Sequence, residues 1–348
     1  MKKVLVTGGC GFVGSTLIRE LLDQGVEVAA LDLPNLEARF AFKGKSRFIG
    51  ADIGDKESLR RAVDSSIECV FHTAALFKYG APRDLFHRVN AGGTRNLCEV
   101  LVEKGVRRLI NWGSSTVYGF WDNPGLVKEE TFPVNEEELV ENYAWSKRQQ
   151  EKVGEEFQKK GLLDVVTIRP GDIYGPGTPN GITLPLYMFK IGLMRSVPGF
   201  KEVFISHVHV DDVALAAIHL ARLSEASGQI YNLADNYPLS NIETFDLAAK
   251  IFNAWALPSM KKTFGIPIFH THPAILKVSG IVEEWRAKMK KTFPRYDRNS
   301  ALFMVKNHIL SNKKLLATGY RLRWPDTREA LPHVVDYYEK TKWAVLKG

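Results

Sequence analysis

The most informative stretch of this sequence is Val4-Leu5-Val6-Thr7-Gly8-Gly9-Cys10-Gly11-Phe12-Val13-Gly14. An apolar run of the strand type is followed at once by Gly8, Gly11 and Gly14 at three-residue spacing. Glycine permits a tight turn, a close approach of the backbone to a bound group, and close packing of a helix on a strand. The following helix would point unpaired N–H groups and the positive end of its dipole at that group. The stretch therefore predicts a strand, a phosphate-binding turn and a helix.

Strand-like apolar runs alternate with amphipathic helical patterns through the first half of the chain. The predicted strands are Val4–Thr7, Glu27–Leu31, Arg47–Ile49, Cys69–His72, Arg108–Trp112 and Val165–Arg169. The predicted helices between them are Phe12–Gln24, Lys56–Val63 and Thr94–Lys104. This order is typical of an α/β fold with a Rossmann-like, doubly wound parallel sheet. Ligands of such folds bind at the carboxyl ends of the strands.

The alternation loosens after Tyr174-Gly175-Pro176-Gly177. Later patterns predict a strand at Gln229–Leu233 and helices at Asp211–Leu223, Asn241–Trp255 and Arg328–Lys340. We therefore expect residues 1–177 to form the nucleotide-binding domain, with a strand and a helix returning to it from about 203–235. Residues 178–348 should form mainly a smaller, mixed lobe that binds the substrate.

The composition is that of an ordinary globular protein, with 45% apolar and 25% charged residues. Cys10, Cys69 and Cys98 lack metal-site or disulfide spacing, so no metal and a reducing, cytoplasmic location are expected. The amino terminus reaches Gly8 too soon for a signal peptide. No apolar run approaches the roughly 18–20 residues of a membrane-spanning helix.

Positive charge is concentrated near the carboxyl terminus. From Ser259 to Gly348 there are 18 lysines and arginines against 7 acidic residues. Nucleic acid is not an expected partner, because no recognised binding motif accompanies the charge. The stretch Phe264–Lys291 mixes apolar and basic residues, so it could cover a lipid-like substrate or make weak contact with a membrane surface. The alternative is an ordinary core helix with a basic outer face.

An acidic residue, Asp32, ends the second predicted strand in Ala29-Ala30-Leu31-Asp32-Leu33. Its carboxylate would accept hydrogen bonds from the ribose hydroxyls of a dinucleotide and would repel the 2′-phosphate of NADP. NAD is therefore the expected cofactor. Arg39 and Lys43 follow closely and could serve a phosphate, so NADP is the second candidate.

Tyr143 and Lys147 stand four residues apart, which places them on one face of a helix. A free tyrosine has a pKa of about 10, and a nearby ammonium lowers it. A tyrosine tuned in this way can take a proton from an alcohol or give one to a carbonyl. A hydroxyl from the loop Gly113-Ser114-Ser115-Thr116, after the fifth strand, could bind the same substrate oxygen.

Through these motifs the chain resembles the extended short-chain dehydrogenase/reductase superfamily over nearly its whole length. The resemblance rests on motifs in a fixed order. They are the glycine turn, Asp32, Ala51-Asp52-Ile53, His72-Thr73-Ala74-Ala75, Asn90-Ala91-Gly92-Gly93-Thr94-Arg95-Asn96, the serine loop, Tyr143 with Lys147, Arg169-Pro170-Gly171-Asp172-Ile173-Tyr174-Gly175-Pro176-Gly177, and His209-Val210-Asp211-Asp212-Val213-Ala214. Many members have Asn-Val-Tyr-Gly-Pro where this chain has Asp172-Ile173-Tyr174-Gly175-Pro176.

The resemblance implies a role for each matching residue. Ser114, Tyr143 and Lys147 would be catalytic, with Ser115 as the alternative to Ser114. The residues implied in cofactor binding are Gly8, Gly11, Phe12, Val13, Asp32, Asp52, Ile53, Ala74, Ala75, Leu76, Asn90, Tyr143, Lys147, Pro170 and Ile173. Asp52 and Ile53 would lie by the adenine, and Pro170 and Ile173 by the nicotinamide.

Within the superfamily, the carboxyl-terminal part looks like the 3β-hydroxysteroid dehydrogenase-like branch, through stretches such as Ile266–Phe269, Pro273–Leu276 and Asn312–Tyr320. Val203–His209 lacks the arginine or lysine that nucleotide-sugar enzymes often place there for the diphosphate. The resemblance thus implies reversible oxidation of a secondary alcohol on an apolar small molecule, by a homodimer. A nucleotide-sugar epimerase or dehydratase is one alternative. A non-catalytic cofactor sensor or scaffold is another, although such proteins typically lose the tyrosine or the lysine.

Overall fold

The computed structural model describes residues 1–119, 125–194, 196–252 and 270–347, without the side chains of Ala301, Leu302 and Lys347. Its strands are β1 Lys3–Thr7, β2 Glu27–Asp32, β3 Arg47–Gly50, β4 Cys69–His72, β5 Arg108–Trp112, β6 Val127–Lys128, β7 Asp164–Pro170, β8 Asp172–Tyr174, β9 Val197–Pro198, β10 Phe204–Ile205, β11 His207–His209, β12 Ile230–Leu233, β13 Leu239–Ser240, β14 His270–Thr271 and β15 Ile309–Leu310.

The helices alternate with the strands in the first half and dominate the second. They are α1 Phe12–Asp23, α2 Lys56–Ala62, α3 Arg83–Phe86, α4 Gly93–Lys104, α5 Asn142–Lys159, α6 Thr183–Lys190, α7 Val210–Arg222, α8 Asn241–Ile251, α9 Pro273–Met289, α10 Ser300–Phe303, α11 Lys313–Ala317, α12 Thr327–Lys340 and α13 Ala344–Lys347. Among the described residues, no helix is both long and apolar enough to cross a membrane.

The central sheet has seven strands in the order β12-β7-β5-β4-β1-β2-β3, and every neighbouring pair in it is parallel. The strand order reverses between β1 and β4, which creates a crevice at their carboxyl ends. Open α/β sheets bind ligands at such a reversal point. The expected doubly wound parallel sheet is confirmed.

Apolar side chains cover both faces of the sheet, as continuous Val/Ile/Leu strands require. On one face, Leu17, Ile18 and Leu21 of α1 pack with α7 against β1. On the other face, α2, α4 and α5 pack around buried residues such as Leu97 and Val165. The sheet is therefore a fixed platform from which loops project at the carboxyl ends of the strands.

A third apolar cluster joins α6, α8 and α12 in the carboxyl-terminal half, around Tyr174, Phe245 and Tyr338. Two late residues nevertheless belong to the core of the first half, since Leu315 and Tyr320 pack against α7 and the sheet. Strand β12 completes the sheet, as the strand predicted at Gln229–Leu233 would. The proposed division near residue 177 stays a prediction.

Candidate active site

A cavity of about 1260 Å³ extends from the glycine turn, past the carboxyl ends of the strands, to α6, α8 and α9. Gly8, Gly11 and Gly14 line one end of the cavity, and Ser114, Tyr143 and Lys147 line its middle. The far end is lined by residues of the carboxyl-terminal half. The cavity is thus long enough to bring a cofactor region and a substrate region together at the three polar side chains.

The glycine turn is shaped by backbone contacts that leave no room for side chains. Gly8 has a φ of +72°, and a Cβ there would lie 2.8 Å from the backbone nitrogen of Ala74. A Cβ on Gly14 would lie 2.1 Å from the carbonyl oxygen of Gly8. Gly11 caps α1 without a side chain, so the first N–H groups of this helix, which have no acceptor within it, face the cavity beside Phe12 and Val13. This cradle fits a pyrophosphate.

Asp32 lies at the carboxyl end of β2 and lines the cavity next to the glycine turn. Its Oδ2 accepts a hydrogen bond from the backbone N–H of Cys10, at 2.9 Å, and its Oδ1 from that of Leu33, at 2.8 Å. The carboxylate is therefore held in place, with lone pairs left for ribose hydroxyls. Arg39 also lines this end of the cavity.

The other residues implied in cofactor binding line the same cavity, with one exception. Those that line it are Asp52, Ile53, Ala74, Ala75, Leu76, Pro170 and Ile173. Asn90 does not: it is fully buried behind the wall, where its Oδ1 accepts from the backbone N–H of Leu76 at 2.7 Å. Its Nδ2 donates to Ser146 Oγ at 2.9 Å. Asn90 therefore ties the loop at Leu76 to α5 and can act on a cofactor only through that loop.

Tyr143 and Lys147 lie on successive turns at the start of α5, and Ser114 follows β5, so the sequence-predicted catalytic residues converge. The Tyr143 ring packs edge-on against Phe77, with ring centroids 4.8 Å apart, and against Phe86 at 6.2 Å. These contacts fix the ring while its hydroxyl faces the cavity. Their catalytic roles stay predictions that this geometry permits.

The two candidate serines differ in their partners. Ser115 Oγ lies 2.7 Å from His308 Nε2, away from Tyr143, and both side chains are buried. Ser114 Oγ is 2.8 Å from Thr116 Oγ1, and the Ser114 hydroxyl lies close enough to Tyr143 to oppose the rise of the tyrosine's pKa. Both serines line the cavity, but Ser115 Oγ is engaged by His308, so Ser114 is the hydroxyl placed to share a substrate oxygen with Tyr143.

Burial is the main influence on the pKa values of Tyr143 and Lys147. It raises the pKa of Tyr143 to about 12, opposed by the hydrogen bond from Ser114. It lowers the pKa of Lys147 to about 7, opposed by the charge of Glu151. Lys147 Nζ donates to Trp112 O at 2.7 Å and to Gln150 Oε1 at 2.8 Å, and lies 6.0 Å from the Tyr143 ring centroid. Desolvation sets the direction of the Tyr143 pKa in this structure, and the tuning of Tyr143 by Lys147 stays a prediction.

Sequence reasoning missed a buried chain of polar groups behind the serine loop. Lys128 Nζ donates to Gly119 O at 2.5 Å and lies 3.3 Å from His308 Nδ1. Burial lowers the pKa of Lys128 to about 7 and holds that of His308 well below its usual value. Since no motif links Lys128 to His308, only the pairing of β6 with β15 reveals the chain.

Sequence reasoning also missed a polar pair at the cofactor–substrate boundary. His207 Nδ1 lies 2.9 Å from Asp172 Oδ2, which also accepts from the backbone N–H of Ile182 at 3.0 Å. Both side chains line the cavity next to Ile173. The available signal was Asp172 itself, which stands where many members of the superfamily have asparagine.

The far part of the cavity is mainly apolar. Its apolar side chains include those of Leu184, Met188, Met194, Phe245, Leu276 and Phe303. Its charged side chains among the described residues are Glu141, Asp172, Glu284, Asp297, Lys78 and Arg298. Arg298 is bonded to Glu284, with its Nε 3.0 Å from Oε2. Burial raises the pKa of Glu141 to about 7, helped by the charge of Asp297. This region is therefore acidic rather than basic.

On the sequence, the apolar stretches Ile266–Phe269 and Ala274–Leu276 are expected to supply area for an apolar substrate. Of the stretch Ala274–Leu276, only Leu276 lines the cavity, because Ala274 and Ile275 point outward. The stretch Ile266–Phe269 lies outside the described residues. In the part of the chain that the structure describes, no group of three or more histidine, cysteine, aspartate or glutamate side chains could hold a metal.

Residues 4–234 match the NAD dependent epimerase/dehydratase family. The chain belongs to this family. With a glycine cradle, an ordered aspartate beside it and a tyrosine–lysine pair in one cavity, its residues fit a nicotinamide dinucleotide. The family is NAD-dependent by its description and lies within the extended short-chain dehydrogenase/reductases.

Curated relatives and solved structures agree with this assignment. The chain is 28% identical over 68% of its length to the sterol-4-alpha-carboxylate 3-dehydrogenase, decarboxylating, of Bos taurus. It is 30% identical over 70% of its length to short-chain dehydrogenase/reductase family 42E member 1 of Macaca fascicularis. The matched regions make up 66% and 65% of those relatives. The UDP-glucose 4-epimerase of Thermus thermophilus, solved with NAD, has a TM-score of 0.73 at 26% identity, covering 97% of this chain and 99% of that one.

Proposed function

We propose that the protein is an NAD-dependent dehydrogenase or reductase that interconverts a secondary alcohol and a ketone on an apolar, steroid- or lipid-like substrate. The observation that carries the proposal is the position of Tyr143 and Ser114. They stand between a glycine-lined cofactor region and an apolar substrate region of one cavity. A substrate oxygen placed between these two hydroxyls would lie at the boundary of both regions.

In the oxidative direction, Ser114 Oγ would donate a hydrogen bond to the substrate oxygen while Tyr143, once deprotonated to the phenolate, takes the hydroxyl proton on Oη. The bound nicotinamide supplies the hydride acceptor. In the reverse direction, the raised pKa of Tyr143 keeps the phenol protonated and ready to donate to the carbonyl oxygen. Lys147, whose pKa is lowered to about 7, can exchange a proton at neutral pH. It would also bind the nicotinamide ribose, the role that its place in the family motif implies.

The charge of the substrate region favours an apolar substrate over a nucleotide sugar. Among the described residues there, Lys78 is the one cation without an ion pair. Asp172 and Asp297 contribute negative charge, and Glu141, whose pKa is raised to about 7, contributes part of another. A diphosphate in this region would have too few partners, and an unpaired buried charge is costly. An apolar ring system would instead bury area against Leu184 and its neighbours, at about 25 cal/mol per Å².

The nucleotide-sugar alternative rests on the likeness to the Thermus thermophilus epimerase. Of the cations that could hold a diphosphate, Lys78 and Arg298 line the cavity, and Arg298 is bonded to Glu284. Arg83 instead stacks on Trp145, with its guanidinium carbon 4.0 Å from the ring centroid. A non-catalytic sensor is disfavoured because Ser114, Tyr143 and Lys147 are all present and converge.

The first prediction concerns the substrate. The purified chain with NAD should form NADH, followed at 340 nm, on addition of apolar secondary alcohols such as 3-hydroxysteroids. UDP- and dTDP-sugars should neither bind in calorimetry nor be converted, because the substrate region is acidic. Micromolar binding of a nucleotide sugar together with an epimerised product would overturn the proposed substrate class and move the enzyme to the sugar branch.

The second prediction concerns the choice between NAD and NADP. Asp32→Ala combined with Leu33→Arg should raise the affinity for NADP relative to NAD, since it removes a negative charge and adds a positive one beside the ribose. We expect a shift of roughly tenfold or more, as about 1.4 kcal/mol would give. Titration of both reduced cofactors against the variant and the wild type measures it. Tighter NADP binding by the wild type would show that Asp32 does not contact the ribose.

We also propose that the protein is a cytoplasmic homodimer. Cys10, Cys69 and Cys98 are free thiols, as in a reducing compartment. Sedimentation equilibrium of the purified chain tests the oligomeric state.

A further inference from the structure

Helix α9 buries its small and polar side chains and exposes its large apolar ones, which is the reverse of an ordinary surface helix. Its inward face carries Leu276, Ser279, Gly280, Glu283 and Ala287, which are mostly small or polar. Its outward face carries large apolar side chains. These are Ile275, Val278, Ile281, Val282, Trp285 and Met289, hereafter the α9 face. The interpretation of this segment as a core helix with a basic outer face is therefore wrong.

The inward face is already covered. The segment containing Arg298 approaches so closely that a Cβ on Gly280 would lie 2.6 Å from the Arg298 Cα. Glu283 and Glu284 are bonded to Arg286 and Arg298, which compensates both carboxylates. Glu283 Oε1 also accepts from the backbone N–H of Arg295 at 2.9 Å. Rotating α9 to bury its apolar side would break this bond, the Glu284–Arg298 pair and the close contact at Gly280, so these contacts fix its orientation.

The α9 face is large and continuous. At 100° per residue its six side chains fall within an arc of about 120°, which is the width of an apolar stripe that packs against a partner. Val282, Trp285 and Met289 are 57%, 65% and 67% exposed, respectively. Single exposed apolar residues are normal on a protein surface, but a stripe of this kind marks an interaction site.

Basic side chains border the α9 face. Lys277 and Lys288 lie on one edge of the apolar arc, and Lys290 and Lys291 follow at the carboxyl end of the helix. None of these four lysines forms an ion pair with another described residue. An amphipathic helix with lysines beside an apolar stripe that includes tryptophan has the pattern of one that lies in the headgroup region of a bilayer.

We propose that the α9 face binds the surface of an anionic lipid membrane. The apolar side chains would enter the boundary between headgroups and acyl chains, and the bordering lysines would contact lipid phosphates. A second copy of this chain fits less well, because a two-fold interface through the α9 face would bring lysines of both copies together. Since Leu276, Ser279 and Glu284 on the inner side of α9 line the cavity, the membrane would lie next to the substrate region.

Flotation of the full-length chain with vesicles tests the proposal. We expect it to float with phosphatidylcholine vesicles that contain 30% phosphatidylserine, and much less with phosphatidylcholine alone. Val282→Ser/Trp285→Ser should weaken binding at least about tenfold, since two apolar side chains are lost. The control Tyr237→Ser/Val345→Ser changes an exposed aromatic residue and an exposed valine elsewhere and should bind like the wild type.

Lys277→Glu/Lys288→Glu leaves the apolar side chains intact and should weaken binding by about 25-fold or more, at roughly fivefold per lysine. Its control, Lys43→Glu/Lys45→Glu, should have no such effect. Failure of the wild type to float would overturn the proposal. If Val282→Ser/Trp285→Ser then changed the sedimentation-derived mass, the α9 face would be an interface between copies. If that variant only melted at lower temperature, the face would be covered by the chain's own residues 253–269.

Discussion

Replacing Tyr143 with phenylalanine should lower turnover by about 10²–10⁴-fold, the usual contribution of a general acid–base group. The substitution removes the hydroxyl that faces Ser114 but keeps the ring that packs against Phe77 and Phe86. The fold and the cofactor region should therefore be unchanged, and NADH should bind with nearly wild-type affinity. The rate is measured with the best alcohol from the apolar panel, and NADH binding by fluorescence titration.

Tyr237→Phe is the matched control for this loss, because Tyr237 is exposed and lies outside the cavity. It should keep wild-type turnover. Wild-type turnover by Tyr143→Phe on any accepted substrate would contradict the catalytic assignment. A parallel loss of NADH affinity would instead indicate that the phenol serves mainly to bind the cofactor.

Much of the fold follows from local sequence patterns. The glycine turn, the buried strands and the alternation with helices are encoded within stretches of about 30 residues, so the doubly wound parallel sheet could be predicted from them. For the same reason, the sequence places Ser114 after the fifth strand and Tyr143 and Lys147 on one face of a helix. The structure brings all three into one cavity.

The rest depends on contacts between distant parts of the chain. His308 is 193 residues from Ser115 along the chain. The local sequence therefore does not show that His308 hydrogen-bonds to Ser115, which leaves Ser114 as the hydroxyl beside Tyr143. Burial, which raises the pKa of Tyr143 instead of lowering it, is likewise a property of the assembled cavity. Asn90 carries a family motif, yet its partners place it behind the wall of the cavity.

The same limit applies to α9. Its composition, apolar with lysines, was read from the sequence, but the side that faces outward is set by Gly280 and the paired glutamates. Hydrophobic periodicity gives the angular position of a stripe on a helix, and it does not say whether the stripe meets the core or the surroundings. Only the packing of residues 295–300 against the polar side decides this.

The second large effect is expected at a buried ion pair beneath the site. Glu151 of α5 and Arg169 of β7 form two hydrogen bonds, of 2.9 and 2.7 Å, and their side chains are 0% and 3% exposed. Glu151→Gln would leave the guanidinium buried without its charge partner. The free energy of unfolding should fall by about 3–5 kcal/mol, which urea denaturation measures.

Helix α5 itself offers the control. Glu156→Gln is the same substitution five residues later, in a pair with Arg95 whose side chains are 34% and 43% exposed. Solvent screens this pair, so the expected loss is less than about 1 kcal/mol. Because the cost at Glu151 comes from an uncompensated charge, Glu151→Gln/Arg169→Met should be more stable than Glu151→Gln alone. Equal losses for Glu151→Gln and Glu156→Gln would mean that burial does not govern the pair.

Glu151 also packs against Gly113, where a Cβ would lie 2.3 Å from the Glu151 Oε1. A loss at Glu151 should therefore loosen the serine loop and α5 together, and lower turnover beyond what the unfolded fraction explains.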